Sequence, residues 1–279
     1  MMIIISADST CDLSQQLIEE LDIAIIPLSV IVNEEIYKDG VDIAPADVFR
    51  FFEEGQLCNT GAVNVFEYQK HFRKLSSESD AVIHICLGSG LSSCYANAML
   101  AAADFPNVYV LDSRNLSTGS GHLVCDAAAL AALGVEPEEI HRRLKAAALK
   151  VNASFIIDQL EYLARGGRCS SITAQGAKIL KLKPSIEVRE GTMVVGRKFR
   201  GNFDKAATAY VRKRLQNGAP IDPERIFITH AGCAAETVEA VRFEVEKLGL
   251  FEEILITEAG CTISNHCGPN TLGVLFKYL

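Results

Sequence analysis

An α/β fold of two units is predicted, the first with a mainly parallel sheet flanked by helices and the second with a mixed sheet. Two patterns in the sequence predict it. Through residues 1–150, apolar runs of strand length alternate with longer segments of helical period, the rhythm of parallel strands joined by crossover helices. In residues 151–279, the segments Ser185 to Arg189 and Thr192 to Gly196 flank Glu190-Gly191, a hairpin signal that brings antiparallel pairing into the second sheet. A chain of 279 residues, 49% hydrophobic and 22% charged, is long and apolar enough to build both units and is not disordered. No linker marks the boundary near residue 150, so the units are expected to share a packed interface.

The elements follow in order. Ile3-Ile4-Ile5-Ser6-Ala7 reads as a buried first strand, Asp12 or Ser14 as the cap of a helix to Leu21, and Ile23 to Val32 as one further strand. A longer excursion holds Asp39-Gly40-Val41-Asp42, a helix started by Pro45 and Asp47, a turn at Gly55, a polar turn at Thr60-Gly61 and a helix from about Val65 to Leu75. Ala81 to Leu87 is the next strand, Ser92 or Ser93 opens an alanine-rich helix ending near Asp104, and Val108 to Leu111 is a strand. Helices from Gly121 to Leu133 and Pro137 to Val151 close this half. The second half opens with strand Ser154 to Ile157 and a short helix through Leu160-Glu161-Tyr162-Leu163 that stops at Gly166-Gly167. After the hairpin come strand Ile226 to Thr229, helix Ala235 to Leu248, strand Glu253 to Thr257 and strand Leu272 to Phe276.

Charge and cysteine usage exclude whole classes of function. With 27 Lys+Arg against 35 Asp+Glu the net charge is −8, which argues against a general nucleic-acid or anionic-membrane surface, since such binding needs a basic stripe. The longest uncharged run, Leu87 to Ala103, is broken by Gly88 and Gly90 and lacks the bulk of a membrane-spanning helix. Met1-Met2-Ile3-Ile4-Ile5 reaches Asp8 almost at once and reads as a strand rather than a signal peptide, so a cytoplasmic location is expected. Nine scattered cysteines without a CxxC suit reduced thiols acting as small core residues. His230/Cys233, His84/Cys86 and His266/Cys267 lack the paired four-ligand pattern of structural zinc, and neither metal nor cofactor is expected.

Three loops carry the polar chemistry, each beyond the carboxyl end of a strand and all on one edge of the first sheet, where ligands of open α/β sheets bind. They are Asp8-Ser9-Thr10-Cys11-Asp12, Gly88-Ser89-Gly90-Leu91-Ser92-Ser93 and Asp112-Ser113-Arg114-Asn115. The glycines of the middle loop let backbone approach a ligand, and Ser92 and Ser93 stand at a helix start with free N–H groups: either a carboxylate or phosphate seat, or an ordinary serine cap. Asp8 and Asp112 read either as paired carboxylates for acid–base work or as helix-entry residues. A hydrolase or phosphotransfer enzyme using Ser92, His266 and Asp8 is the alternative reading, although Gly90-Leu91-Ser92-Ser93-Cys94 lacks the closing glycine of a nucleophile elbow. Arg165-Gly166-Gly167-Arg168 offers two forked cations, for recognition of an anion or for the carbonyl end of a helix. His266-Cys267-Gly268-Pro269-Asn270 reads as a tight turn holding His266 on a short loop.

In order, these segments resemble the DegV family of bacterial fatty-acid-binding proteins, the acyl-carrying subunits of fatty acid kinases. The resemblance rests on Asp8-Ser9-Thr10-Cys11-Asp12-Leu13, Ile26 to Val30, Tyr37-Lys38-Asp39-Gly40-Val41-Asp42, Ser89-Gly90-Leu91-Ser92, Leu160 to Leu163 with Gly166-Gly167-Arg168, Lys181-Leu182-Lys183-Pro184 and His266-Cys267-Gly268-Pro269. It implies a two-domain protein that buries a long-chain fatty acid in an apolar tunnel and presents the carboxylate, at the domain interface, to a separate ATP-dependent kinase. The protein itself is then noncatalytic. By motif, Thr60, Ser92, Ser93 and His266 are implied to hold the carboxylate, with Asp8, Ser9, Asp112, Ser113 and Arg168 supporting the site or facing the partner. The chain departs from the family pattern at Gly61-Ala62-Val63-Asn64, at Ser93-Cys94 and at Asn270.

Overall fold

A computed structural model describes residues 1–169 and 182–279. Lys181 of the Lys181–Pro184 motif lies outside the described residues. Strand β1 (Ile3–Asp8) is central in a four-stranded parallel sheet of order β2-β1-β6-β7, with β2 at Ala24–Ile26, β6 at Ala81–Cys86 and β7 at Val108–Asp112. Its helices are α1 (Gln15–Glu20), α3 (Val65–Glu78), α4 (Cys94–Ala102), α5 (Thr118–Ala132) and α6 (Pro137–Ala148). Ser14 caps α1 by accepting from Leu17 N–H, and Asn64 with Glu67 forms a capping box on α3.

The expected single strand from Ile23 to Val32 is two. Pro27, which has no N–H to give a ladder, breaks it. β2 stays in the parallel sheet, while β3 (Ser29–Val32) turns into a separate antiparallel sheet between β4 (Glu35–Lys38) and β5 (Cys58–Gly61). Thr60 therefore sits on a strand, not in a turn, opposite Val30. Helix α2 (Pro45–Glu53) starts at Pro45 as expected. Val151, assigned from sequence to the end of a helix, begins strand β8 (Val151–Ile157).

The second sheet is six-stranded and mixed, in the order β10-β9-β8-β13-β11-β12. β9 (Lys183–Arg189) and β10 (Thr192–Phe199) form the expected hairpin, with Glu190 and Gly191 both at positive φ as the tight two-residue turn requires. β11 (Arg225–Ala231) and β12 (Glu253–Glu258) are parallel, and β13 (Thr271–Lys277) runs antiparallel between β8 and β11. Among the described residues, three helices accompany this sheet besides Leu160–Gly166: Phe203–Leu215, Ala235–Leu248 and the short Cys261–Cys267. The last corrects the reading of His266, which lies in the final turn of a helix rather than on a loop.

The hydrophobic interior does not stop near residue 150. Leu28, Tyr68, Phe72, Leu87 and Leu116 pack in one buried cluster with Phe155, Leu163, Ile186, Met193 and Cys267. A second cluster likewise joins Ile5, Ile83 and Leu123 to Phe227 and Leu275. Among the described residues no helix is long and apolar enough to cross a membrane.

Candidate functional site

Residues from both halves of the chain line a cavity of about 140 Å³: Thr60, Ser92, Ser93, Thr262, His266 and Arg168 together with Leu28, Leu87, Leu91, Leu116, Met193 and Ile263. Five residues singled out from sequence thus meet at one place, from four separate elements. Thr60 comes from β5, Ser92 and Ser93 from the turn between β6 and α4, His266 from helix Cys261–Cys267, and Arg168 from the segment after helix Leu160–Gly166.

His266 and Thr60 are joined directly, with Nε2 2.8 Å from the Thr60 hydroxyl oxygen. Burial, reinforced by the Arg168 guanidinium, holds the imidazole pKa down at about 4, so the ring is neutral near pH 7 and carries one N–H. Its other nitrogen, Nδ1, is buried with no hydrogen-bond partner among the described residues and faces Gly166. A Cβ at Gly166 would stand 2.2 Å from that nitrogen, so glycine is what lets this helix end close over the ring.

The serines behave differently from each other. Ser93 is exposed at the cap position of α4, and its side chain makes no capping bond. Ser92 acts at this helix start instead, since its oxygen accepts from Cys94 N–H at 3.2 Å while its hydroxyl points to the Cys94 sulfur, also at 3.2 Å. Cys94 and Cys267 are buried, and burial pushes both thiols up to about 12, so they serve as packing groups and not as nucleophiles. Arg168 is exposed and donates to the Gly166 carbonyl at 2.7 Å, which fixes it at the rim.

Asp8, Ser9, Asp112 and Ser113 do not line the cavity. Asp8 is buried and accepts from the Tyr68 hydroxyl at 2.6 Å and Leu87 N–H at 2.8 Å, so it reaches neither Ser92 nor His266 as a hydrolytic triad would need. Nor is it paired with Asp112, which holds the Ser89 hydroxyl and the Arg114 N–H. Ser9 donates to Asp39 and accepts from Leu28 N–H, and buried Ser113 bonds Asn115 and Ser120. These four shape the loops and leave the cavity to others. Asp8, His84 and Cys86 bring ligand atoms within 4.8 Å of one another, but the Asp8 oxygens are engaged and burial keeps the Cys86 thiol protonated, a poor donor set for a cation.

Two features of the site were not visible in the sequence. A narrow apolar chamber lined by Phe155, Ala231, Gly273 and Leu275 adjoins the cavity and shares Leu116, Ile263 and Cys267 with it. On the other side, a groove lined by Phe52, Tyr162 and Arg165 also reaches Thr60, His266 and Arg168. Thr60, His266 and Arg168 thereby border both the cavity and the groove. Arg165 lies over the Phe52 ring at 4.6 Å, which helps to fix the groove.

The comparisons with known proteins agree on one family. The family model described as "Uncharacterised protein, DegV family" matches residues 2–278. A DegV domain-containing protein of Caldanaerobacter subterraneus is 31% identical over 281 residues, covering 99% of this chain and 98% of that protein. Among solved structures, a fatty-acid-binding DegV family protein of Thermus thermophilus matches with a TM-score of 0.93 at 31% identity, covering all of both chains. DegV of Bacillus subtilis, a fatty acid binding protein, matches with a TM-score of 0.86 at 27% identity, again over all of both chains.

Proposed function

The chain belongs to the DegV family, and from that premise we propose that it binds a long-chain fatty acid and presents the carboxyl group to a separate ATP-dependent kinase. The observation that carries this reading is the meeting of Thr60, Ser92, Ser93, Thr262 and His266 in the lining of a largely apolar cavity, with Arg168 at its rim. A buried carboxyl group without partners costs several kcal/mol, on the order of 2 to 7, and this cluster supplies partners. With the imidazole proton on Nε2, Thr60 accepts from His266 and turns its own hydroxyl hydrogen toward the ligand. The Ser92 hydroxyl and the start of α4 complete the seat. The acyl chain then runs between Leu28, Leu87 and Leu116 toward Phe155 and Leu275. Each buried methylene contributes about 0.8 kcal/mol, so a dozen outweigh the cost of ordering the chain.

The outer groove supports the carrier role. Because Thr60, His266 and Arg168 border both spaces, a head group seated at Thr60 and His266 is reachable past Arg168 while its chain stays covered. Transfer of a phosphoryl group is left to the partner, which would approach across Arg165 and Arg168. Titration with palmitic acid, its methyl ester and hexadecanol tests the head-group reading. Saturable binding of the acid, with the ester and alcohol at least tenfold weaker, is expected; equal binding of all three would overturn it.

A further inference from the structure

The helix that carries His266 has no cap of its own. Its cap residue, Gly260, has no side chain to offer, and the first N–H groups of Cys261–Cys267 would be orphaned in a buried location. They are satisfied from the other end of the chain. The Asp39 carboxylate accepts from Cys261 N–H through Oδ1 at 2.7 Å and from Thr262 N–H through Oδ2 at 3.1 Å. Oδ2 also accepts from the Ser9 hydroxyl at 3.2 Å. The Asp12 carboxyl group takes Gly260 N–H at 2.9 Å and the Ser117 hydroxyl at 2.5 Å, and the Cys261 thiol points to the Ile43 carbonyl at 3.2 Å. A Cβ on Gly260 would lie 3.2 Å from an oxygen of each aspartate, tight enough to force them back.

We infer that Asp39, with Asp12 beside it, is a positioning residue for the head-group site: it fixes the helix Cys261–Cys267 by its N-terminus and so sets His266 against Thr60. Three facts converge on it. First, the caps come from the Asp8–Asp12 and Tyr37–Asp42 segments, more than 220 positions away, so the helix cannot be held this way without the first half of the fold in place. Second, the helix is seven residues long and its cross-chain contacts sit at opposite ends: carboxyl groups at the start, Thr60 at His266 near the finish. A rigid rod of this length converts a shift at its start directly into a displacement of the imidazole. Third, a carboxylate bridging two consecutive N–H groups meets both the unpaired donors and the positive end of the helix dipole, so replacing it leaves buried donors unpaired. His266 is bounded by Thr60 on its Nε2 side and by Gly166 on its Nδ1 side, so the placement of the helix decides where the ring sits between them.

The inference deepens the fatty-acid reading, and only its effect on affinity rests on that reading. The test is Asp39→Asn, which keeps the shape but faces one N–H with an amide hydrogen, read by the ¹³C–¹H spectrum of all six histidines in the full chain without ligand. His266 is identified by its loss in His266→Gln. The expected result is a shift and broadening of the His266 resonance, with protonation moving up by at least one pH unit, while His84 and His122 are unchanged. Palmitic acid affinity then falls about tenfold. Ser9→Ala, which removes a single bond to Asp39, is expected to move His266 the same way by less, and serves if Asp39→Asn does not fold. An unmoved His266 resonance in a folded variant overturns the inference, and so does an equal disturbance of all six histidines, which would mark general loosening. A moved His266 with unaltered fatty-acid affinity would leave the clamp standing and count against the head-group role of His266.

Discussion

Thr60 Oγ1 and His266 Nε2 stand 2.8 Å apart although 206 positions separate them, and this bond closes the fold around its cavity. Among the described residues, neither side chain has another hydrogen bond that would fix it so. Replacing Thr60 by valine keeps the shape and removes the hydroxyl, leaving a ring nitrogen unpaired. About 1 to 2 kcal/mol is at stake, so palmitic acid affinity is expected to fall roughly tenfold and Tm by a few degrees. Competition against a fluorescent fatty acid, alongside thermal unfolding, measures both.

The contact between Gly166 and His266 yields a second prediction. A methyl group at Gly166 would meet Nδ1 at 2.2 Å, and the backbone on one side and the ring on the other cannot both stay. Gly166→Ala is expected to displace the imidazole, cost about 1 to 3 kcal/mol of stability by overpacking, and weaken fatty acid binding more than Thr60→Val does. Equilibrium denaturation and the same competition assay check it; unchanged affinity would show that His266 has room to spare.

Arg168 separates binding from presentation. It is exposed, borders both the cavity and the outer groove, and among the described residues is tied only to the Gly166 carbonyl. Arg168→Ala is therefore expected to leave fatty acid affinity within about twofold, since an exposed charge is screened by water. Phosphorylation of the bound acid by an added fatty acid kinase is expected to fall at least tenfold. Parallel loss of both would place Arg168 in the head-group seat instead.

Stability should respond to pH in two windows of opposite sign. Burial lowers His71 and His122 to about 3, and burial with Arg168 lowers His266 to about 4. A depressed histidine binds its proton more tightly in the unfolded chain, so its contribution is complete above about pH 6.5 and is lost as pH falls, down to about 4 for His266 and about 3 for His71 and His122. Burial raises the Asp12 pKa to about 8, so its contribution is complete at low pH and is lost as pH rises through 8. Three histidines outweigh one aspartate below about pH 6.5, and Asp12 dominates between about 6.5 and 8. Tm is expected to peak near pH 6.5. Asp12→Asn should flatten the side above the peak, and His266→Gln should soften the side below it.

Much of the fold was legible because its long elements carry strong periodicity. β1, β6, β7 and the helices on the first sheet fall within a few residues of their expected places, and Glu190-Gly191 marked the hairpin. Thr60 was misplaced on a turn because β3, β4 and β5 are four residues each, too short to show alternation. His266 was misplaced on a loop for a related reason: Cys261–Cys267 is a single short helix of weak formers whose caps lie on Asp12 and Asp39. No local pattern can announce a cap that arrives from another part of the chain. Asp8, Ser9, Asp112 and Ser113 show the converse, since polar residues after strands serve loop geometry as readily as ligands.

The most direct measurement is native mass spectrometry of the protein as purified, followed by denaturation, extraction and identification of what is released. One long-chain fatty acid per chain is expected, retained in the native spectrum and greatly reduced in a Thr60→Val, His266→Gln double variant. A protein that is empty as purified, and that forms no complex when long-chain fatty acids are added, would contradict it.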